Sequence, residues 1–263
     1  QTSDLAKLAL IIYVARAISS KQDYIQDFKS AFVPIIVPVV LVCGLIAPAD
    51  LSTSIILFLS CLLVMFVGRV AIQYIGLLLV SGFIMFAFLL LLGKEYPNLI
   101  RVTTWENRLQ EFYSPERGSD DTYQIDQAKI ALANGGWIGA GPGNSTQRNY
   151  LPYAHADFIY AIICEEYGVL GGAVIIGLYL LLFFRVTRLV TKSPKAFGAM
   201  VALGLCLVMV IQAFFHIGIN VNVLPVTGLT LPLISMGGTS LLFTCVSFGI
   251  ILSVSKFIES VAE

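Results

Sequence analysis

The feature that most constrains this chain is a succession of long apolar runs parted by polar connections. The runs fall at about Leu5 to Ala17, Phe32 to Ala47, Leu51 to Val67, Ala71 to Leu92, Val169 to Phe184, Ala196 to Ile219 and Ser240 to Val254. Most approach the roughly 20 residues a helix needs to cross the hydrocarbon layer. The pattern predicts an all-α, polytopic transmembrane helix bundle with about seven spanning helices. A mean hydropathy of +0.86 with only 12% charged residues lies outside the range of a soluble domain of this length. Net charge is zero and no basic stripe interleaves with aromatics, which sets nucleic acid aside. Cys43, Cys61, Cys164, Cys206 and Cys245 sit in or beside apolar runs without metal-site or disulfide spacing, and read as small packing hydrophobes.

The first run opens on "QTSDLAKLAL", with Ser3 or Asp4 where a helix cap would sit. It has no initiator Met and no signal peptide, so the chain reads as the C-terminal part of a longer protein. Arg16, Lys21, Lys29, Arg69, Arg185, Arg188, Lys192, Lys195 and Lys256 fall on one set of alternate connections, the cytoplasmic side by the positive-inside rule. The other side then carries a turn near Pro48, a long loop over about 94–155 and the turn from Val221 to Gly238.

That long extracytoplasmic loop exceeds the length of an ordinary connection and suggests function. Within it, "IDQAKIALA" reads as a short amphipathic helix and "GGWIGAGPGNS" as a glycine-rich turn carrying one aromatic. The loop is expected to fold over the membrane surface.

Polar groups at the edge of lipid are expensive and become functional candidates. A single helix from Asp157 to Val190 would be about 50 Å long, so Gly168, Gly171 and Gly172 are expected to break it after a short helix over about 156–167. On that helix Asp157 and Glu165 would lie about 12 Å apart along the axis, too far for the paired carboxylates of a retaining glycosidase. Glu166 would point nearly opposite to Asp157. The residues alone leave Asp157 either an anion favouring a helix N-terminus or an active carboxylate. His155, Glu165 and Glu166 read as supporting groups.

Farther along, Gln212, His216 and Asn220 recur every fourth residue, a polar stripe that must meet other helices or a wet cavity. Pro225, Gly228, Pro232, Gly237 and Gly238 follow, and irregular backbone at that depth needs protein cover or a cavity to line. Asp50, ahead of Ser52 and Thr53, reads as a helix cap. Lys7 could pair with Asp50 or attract a phosphate.

The motifs "SDLAKLALIIYVAR", "YQIDQAKIALANGGWIGAGPGNS", "LPYAHADFIYAIICEEYG" and "GLTLPLISMGGTSLL" resemble, in order along the chain, the SEDS family of shape, elongation, division and sporulation proteins. The likeness is strongest to its cell-division branch, with the elongation branch a near neighbour. It implies a single SEDS-type membrane domain over residues 1–263, part of a protein of about ten helices. A departure from the family pattern is Ala156, where relatives commonly carry Thr before the Asp.

The resemblance implies a peptidoglycan glycosyltransferase that polymerises lipid II in the bacterial cytoplasmic membrane, its site facing the extracytoplasmic side. Asp157 matches the family's essential Asp. Its implied role is general base on the acceptor sugar, with inversion at the donor. Lys7, Arg101, Lys129 and Arg148 are candidate phosphate contacts, and Gln212, His216 and Ser235 candidate substrate contacts. A divalent cation such as Mg or Mn could share the charge, although no ligand cluster marks a site for it. Implied partners are a class B penicillin-binding protein and other divisome proteins, beside membrane lipid. A lipid II flippase and a non-catalytic divisome scaffold are the competing readings.

Overall fold

The computed structural model describes residues 2–28, 32–95, 102–113 and 120–262, which are helical with no strand among them. The order is α1 (Thr2–Ser20), α2 (Val33–Ile46), α3 (Leu51–Val67), α4 (Ile72–Glu95), α5 (Val102–Tyr113), α6 (Asp120–Gly135), α7 (Ile159–Lys192), α8 (Ala196–Asn220) and α9 (Gly238–Ala262). Every apolar run of the sequence lies in a helix, overrunning it by no more than one residue at either end. Four of these helices, α4, α7, α8 and α9, are long and apolar enough to cross a membrane, while α2 and α3 are shorter apolar helices.

The chain divides into two compact units. The first comprises residues 1–102, 183–209 and 242–263. Its centre is the mutual packing of α1, α2 and α3, with Ile11, Val14, Ile35, Val39, Leu57, Cys61 and Met65 buried. Ser54 Oγ donates to the Cys43 carbonyl at 2.8 Å, so α3 is tied to α2 through a bond that leaves no polar atom facing lipid. Gly204 of α8 faces Ile11 of α1, where an added methyl would stand 2.6 Å from Ile11 Cγ2. Small residues at such crossings let helices approach closely. The basic side chains stack on rings: Arg16 over Phe197 at 5.6 Å and Lys195 over Phe257 at 4.7 Å.

The second unit comprises residues 103–182 and 210–241. Tyr160, Cys164 and Tyr179 of α7 pack with Ala213 and Ile217 of α8 and with Leu231. Tyr179 Oη donates to the Pro232 carbonyl, which anchors the irregular segment after α8. The described part of 94–155 includes α6, expected from "IDQAKIALA", and α5, formed by "VTTWENRLQEFY". The glycine-rich turn is present between α6 and the short 3-10 helix Gln147–Asn149.

The expected break in α7 falls at Gly168, whose φ of 69° and ψ of −171° leave the helical region. One boundary differs from expectation. The helix begins at Ile159, so Asp157 lies in the turn before it and the axial spacing to Glu165 does not apply. The turn wins there because Ala156 and Asp157 donate their N–H groups to the Tyr153 carbonyl, at 2.8 and 3.0 Å.

Candidate active site

The turn His155–Ala156–Asp157 is held by its backbone. Three consecutive carbonyls each accept a hydrogen bond from a different donor. The Met236 N–H reaches His155 O at 3.0 Å, Ser235 Oγ reaches Ala156 O at 2.6 Å, and Asn220 Nδ2 reaches Asp157 O at 3.1 Å. Asn220 is fully committed: its Oδ1 also accepts from Ala161 N–H at 3.0 Å, filling one of the donors that a helix N-terminus leaves open. Asp157 is thus fixed through the main chain while its carboxylate stays half-buried.

That carboxylate lies beside Gly228, where an added methyl would stand 3.9 Å from Oδ2. Gly228 has φ +70°, so any side chain there would be strained, and its Cβ would come into contact with the acid. Burial pushes the Asp157 carboxyl above its usual range; the positive charge of Arg108, and less that of His155, pulls the other way. A carboxylate raised in this manner is better matched to accepting a proton near neutral pH.

Arg108, on α5, was not singled out by sequence reading. Its Nε is buried without a hydrogen-bond partner among the described residues. The signal was available as a basic residue on an amphipathic segment, but the segment itself went unassigned. Thr227 Oγ1 and His216 Nε2 are buried and unpartnered too. Thr227 adjoins Gly228, and His216 Nδ1 contacts the Leu229 carbonyl at 2.6 Å, so both flank the same turn. Unmet polar atoms are costly in a protein interior. Of these, Arg108 is tied to Asp157 by its field and Thr227 by its neighbour Gly228, which makes this turn the candidate site.

Glu165 has the opposite surroundings. It is 1% exposed, and its carboxylate accepts from Ser145 Oγ, from Thr146 Oγ1 at 2.9 Å, from the N–H groups of Thr146 and Gln147 at 3.3 and 3.2 Å, and from Asn134 Nδ2 at 3.4 Å. It clasps the "NSTQ" end of the glycine-rich turn. Gly135 and Gly139 come so close to the α7 backbone that added methyls would stand 1.9 Å from Cys164 O and 2.2 Å from Glu166 O. No Cβ fits at either place.

The remaining candidates take these positions. Ser235 Oγ accepts from Leu231 N–H at 2.7 Å besides holding Ala156, and Gln212 Nε2 donates to Thr230 O at 2.9 Å. His155 is exposed at the turn, and Glu166 is half-buried with its carbonyl taking the Gly141 N–H at 2.9 Å. Arg148 is exposed, its N–H bonded to Ser145 Oγ at 3.1 Å. Lys129 pairs with Asp126 at 3.5 Å on the surface of α6. In the first unit, Lys7 pairs with Asp4 at 2.7 Å, and Asp50 caps α3 by accepting from Thr53 N–H at 3.0 Å and Thr53 Oγ1 at 2.6 Å. Arg101 lies outside the described residues. Among the described residues no three His, Cys, Asp or Glu come together in a way that could hold a metal ion.

Membrane-length helices and a backbone-locked acid at the head of one of them define a polytopic membrane protein with a candidate site beside the bilayer. Comparison with known proteins sharpens that class. The FtsW/RodA/SpoVE family model, described as cell cycle protein, matches residues 1–260, and this chain belongs to that family, the SEDS family of its motifs. Stage V sporulation protein E of Bacillus subtilis is 34% identical over 264 residues, covering 98% of this chain and 69% of that protein. The probable peptidoglycan glycosyltransferase FtsW of Nitrosococcus halophilus is 35% identical over 260 residues, covering 97% and 65%. The chain therefore spans about two thirds of the length of these relatives. Among solved structures, a chain of a peptidoglycan synthase complex that coordinates polymerization and crosslinking superposes with TM-score 0.68 at 26% identity, covering 98% of this chain and 70% of that one. The rod shape determining protein RodA of Thermus thermophilus shares the fold, with TM-score 0.63 at 22% identity over 97% of this chain and 65% of that one.

Proposed function

We propose that this chain carries the catalytic part of an FtsW-like peptidoglycan glycosyltransferase that polymerises lipid II at the extracytoplasmic face of the bacterial cytoplasmic membrane. The observation that carries this reading is the Asp157 carboxylate, immobilised through its backbone, raised by burial and flanked by unpartnered polar atoms. Asp157 takes the proton from the 4-hydroxyl of the acceptor GlcNAc. The oxygen attacks C1 of the donor MurNAc, the bond from C1 to the diphosphate oxygen breaks, and undecaprenyl diphosphate departs. In-line attack turns the α-linked donor into a β-1,4 glycan.

One base suffices, because a diphosphate leaves without strong protonation and needs positive charge nearby instead. Arg108 supplies that charge best among the described residues, since its Nε is unpartnered and its field reaches Asp157. Arg148 is exposed on the chain leading into the same turn. A divalent cation finds no three-ligand protein site among the described residues, and no step is assigned to it. A class B penicillin-binding protein is the proposed partner, in keeping with the synthase complex among the structural relatives.

The test is lipid II polymerisation by the full-length protein with its transpeptidase, comparing wild type with Asp157→Asn and Asp157→Ala. Loss of glycan chains with folding and partner binding intact supports the assignment. Wild-type rates in both variants would remove Asp157 from the chemistry and direct attention to lipid II flipping or scaffolding.

A further inference from the structure

The tip of the glycine-rich turn carries Trp137 and Ile138, 75% and 80% exposed, an apolar pair on the loop between α6 and α7. Two backbone bonds fix its height against α7: Val169 N–H donates to Gly136 O at 2.9 Å and Leu170 N–H to Trp137 O at 3.4 Å. A methyl added to Gly168 would stand 2.3 Å from Trp137 O, so the strap is in direct contact with the break.

The depth of the break follows from α7 itself. The helix of 34 residues is about 51 Å long, well beyond the ~30 Å hydrocarbon core. Arg185 and Arg188 mark its basic end, where long cationic side chains reach for the interface. Counting ~30 Å back from Arg185, about 20 residues, arrives near Glu165, within a turn of Gly168. The strap therefore sits at the opposite boundary of the hydrocarbon, and Trp137 sits with it. Tyr167, Val169 and Leu170 are exposed on α7 at the same level, as are Val174, Leu178 and Leu181 farther along the helix.

The loop is chemically suited to that place. "GGWIGAGPGNSTQ" bears no charge. Its N–H groups are engaged at Gly139, Ala140, Gly141 and Asn144, with Gly135 O, Glu165 O, Glu166 O and Gly141 O as acceptors. Together with the Gly136 and Trp137 carbonyls, which accept from α7, this pairing lowers what the loop loses on leaving water, whereas a wholly open loop would be expelled from lipid.

We propose that the Trp137–Ile138 tip inserts into the headgroup and upper acyl region of the outer leaflet, as a lipid anchor that sets the height of the Asp157 turn above the bilayer. This rests on α7 crossing the membrane and is independent of the glycosyltransferase reading. A docking surface for a protein partner is the rival occupant.

The test uses full-length protein reconstituted in phosphatidylcholine and phosphatidylglycerol vesicles containing 6,7-dibromo phosphatidylcholine. Subtracting the emission of Trp137→Phe from that of wild type isolates Trp137 whatever other tryptophans are present. The side chain is mostly exposed, so the substitution leaves the fold intact. The difference emission is expected to be quenched about twofold or more by the brominated lipid and hardly by aqueous iodide, as for an interfacial aromatic. Ile138→Glu should shift it to the red and restore iodide access. Quenching by iodide without quenching by bromolipid overturns the proposal. So does protection from iodide that arises only when the transpeptidase is added, which would assign the tip to a protein partner.

Discussion

Asp157 and Glu165 stand eight residues apart on either side of the start of α7, and their surroundings could hardly differ more. Glu165 is saturated with donors from the glycine-rich turn and Asn134, whereas Asp157 spends its main chain on anchorage and leaves its carboxylate beside a glycine. A carboxylate wrapped in hydrogen bonds is a structural tie, because every acceptor site is already used. One that is fixed yet left open can take a proton. Residue type does not separate the two; the donors around each one do, and they are why the proposed function puts the chemistry on Asp157.

The contrast is sharpest at Asp157. Replacing it with Asn should lower polymerisation by about 10²–10⁴-fold, the usual worth of a positioned general base, with the melting temperature in detergent unchanged. Arg108→Gln comes next, with about a 10²-fold loss if it stabilises the departing diphosphate. It should also move the pH profile. If Asp157 is the base, the rate follows its ionised form and falls as pH drops through a pKa raised above the normal carboxylate range; without Arg108 nothing holds that pKa down as strongly, and the acid limb shifts to higher pH.

Glu165→Ala probes the other member of the pair. It should destabilise the protein by about 2 kcal/mol by stranding buried donors, read as a lower thermal midpoint in detergent. If Glu165→Gln instead abolished synthesis at unchanged thermal stability, the clasp would have a chemical role and the contrast would break. Gly168→Ala should cost about 1–3 kcal/mol from its positive-φ extended backbone, which essentially only glycine adopts, besides the clash with Trp137 O. Lys129→Ala, at an exposed pair, should change stability and rate least, by no more than about 0.5 kcal/mol in a denaturation series.

The apolar runs were legible because burial in lipid imposes length and composition on each helix. The break at Gly168 was legible for a similar reason, since an unbroken helix would have been too long. The cap at Asp50 announced itself through Ser52 and Thr53, and the polar stripe of Gln212, His216 and Asn220 through its period. What the stripe bonds to was not legible. Its partners, the carbonyls of Asp157, Leu229 and Thr230, are main-chain atoms brought near by tertiary folding, and no side-chain pattern encodes them. Arg108 was missed for a comparable reason: an amphipathic segment reveals a buried face without saying what lies across from it. Starting the helix at about Ala156, with Asp157 in its first turn, failed because Tyr153 O gathers the N–H groups of Ala156 and Asp157 into a turn ahead of Ile159, a local choice that propensity does not rank.

The three anchored carbonyls of the Asp157 turn have a consequence for the timing of disorder. Fixing a residue's backbone costs about 1–2 kcal/mol, and here that cost is met when the chain folds, long before a sugar arrives. Under the proposed function, a base that is already still need not be stilled by its substrate, so binding free energy is left to hold two lipid-linked sugars in line. On that reading, growth of the glycan is accomplished by sliding the polymer past a stationary acid.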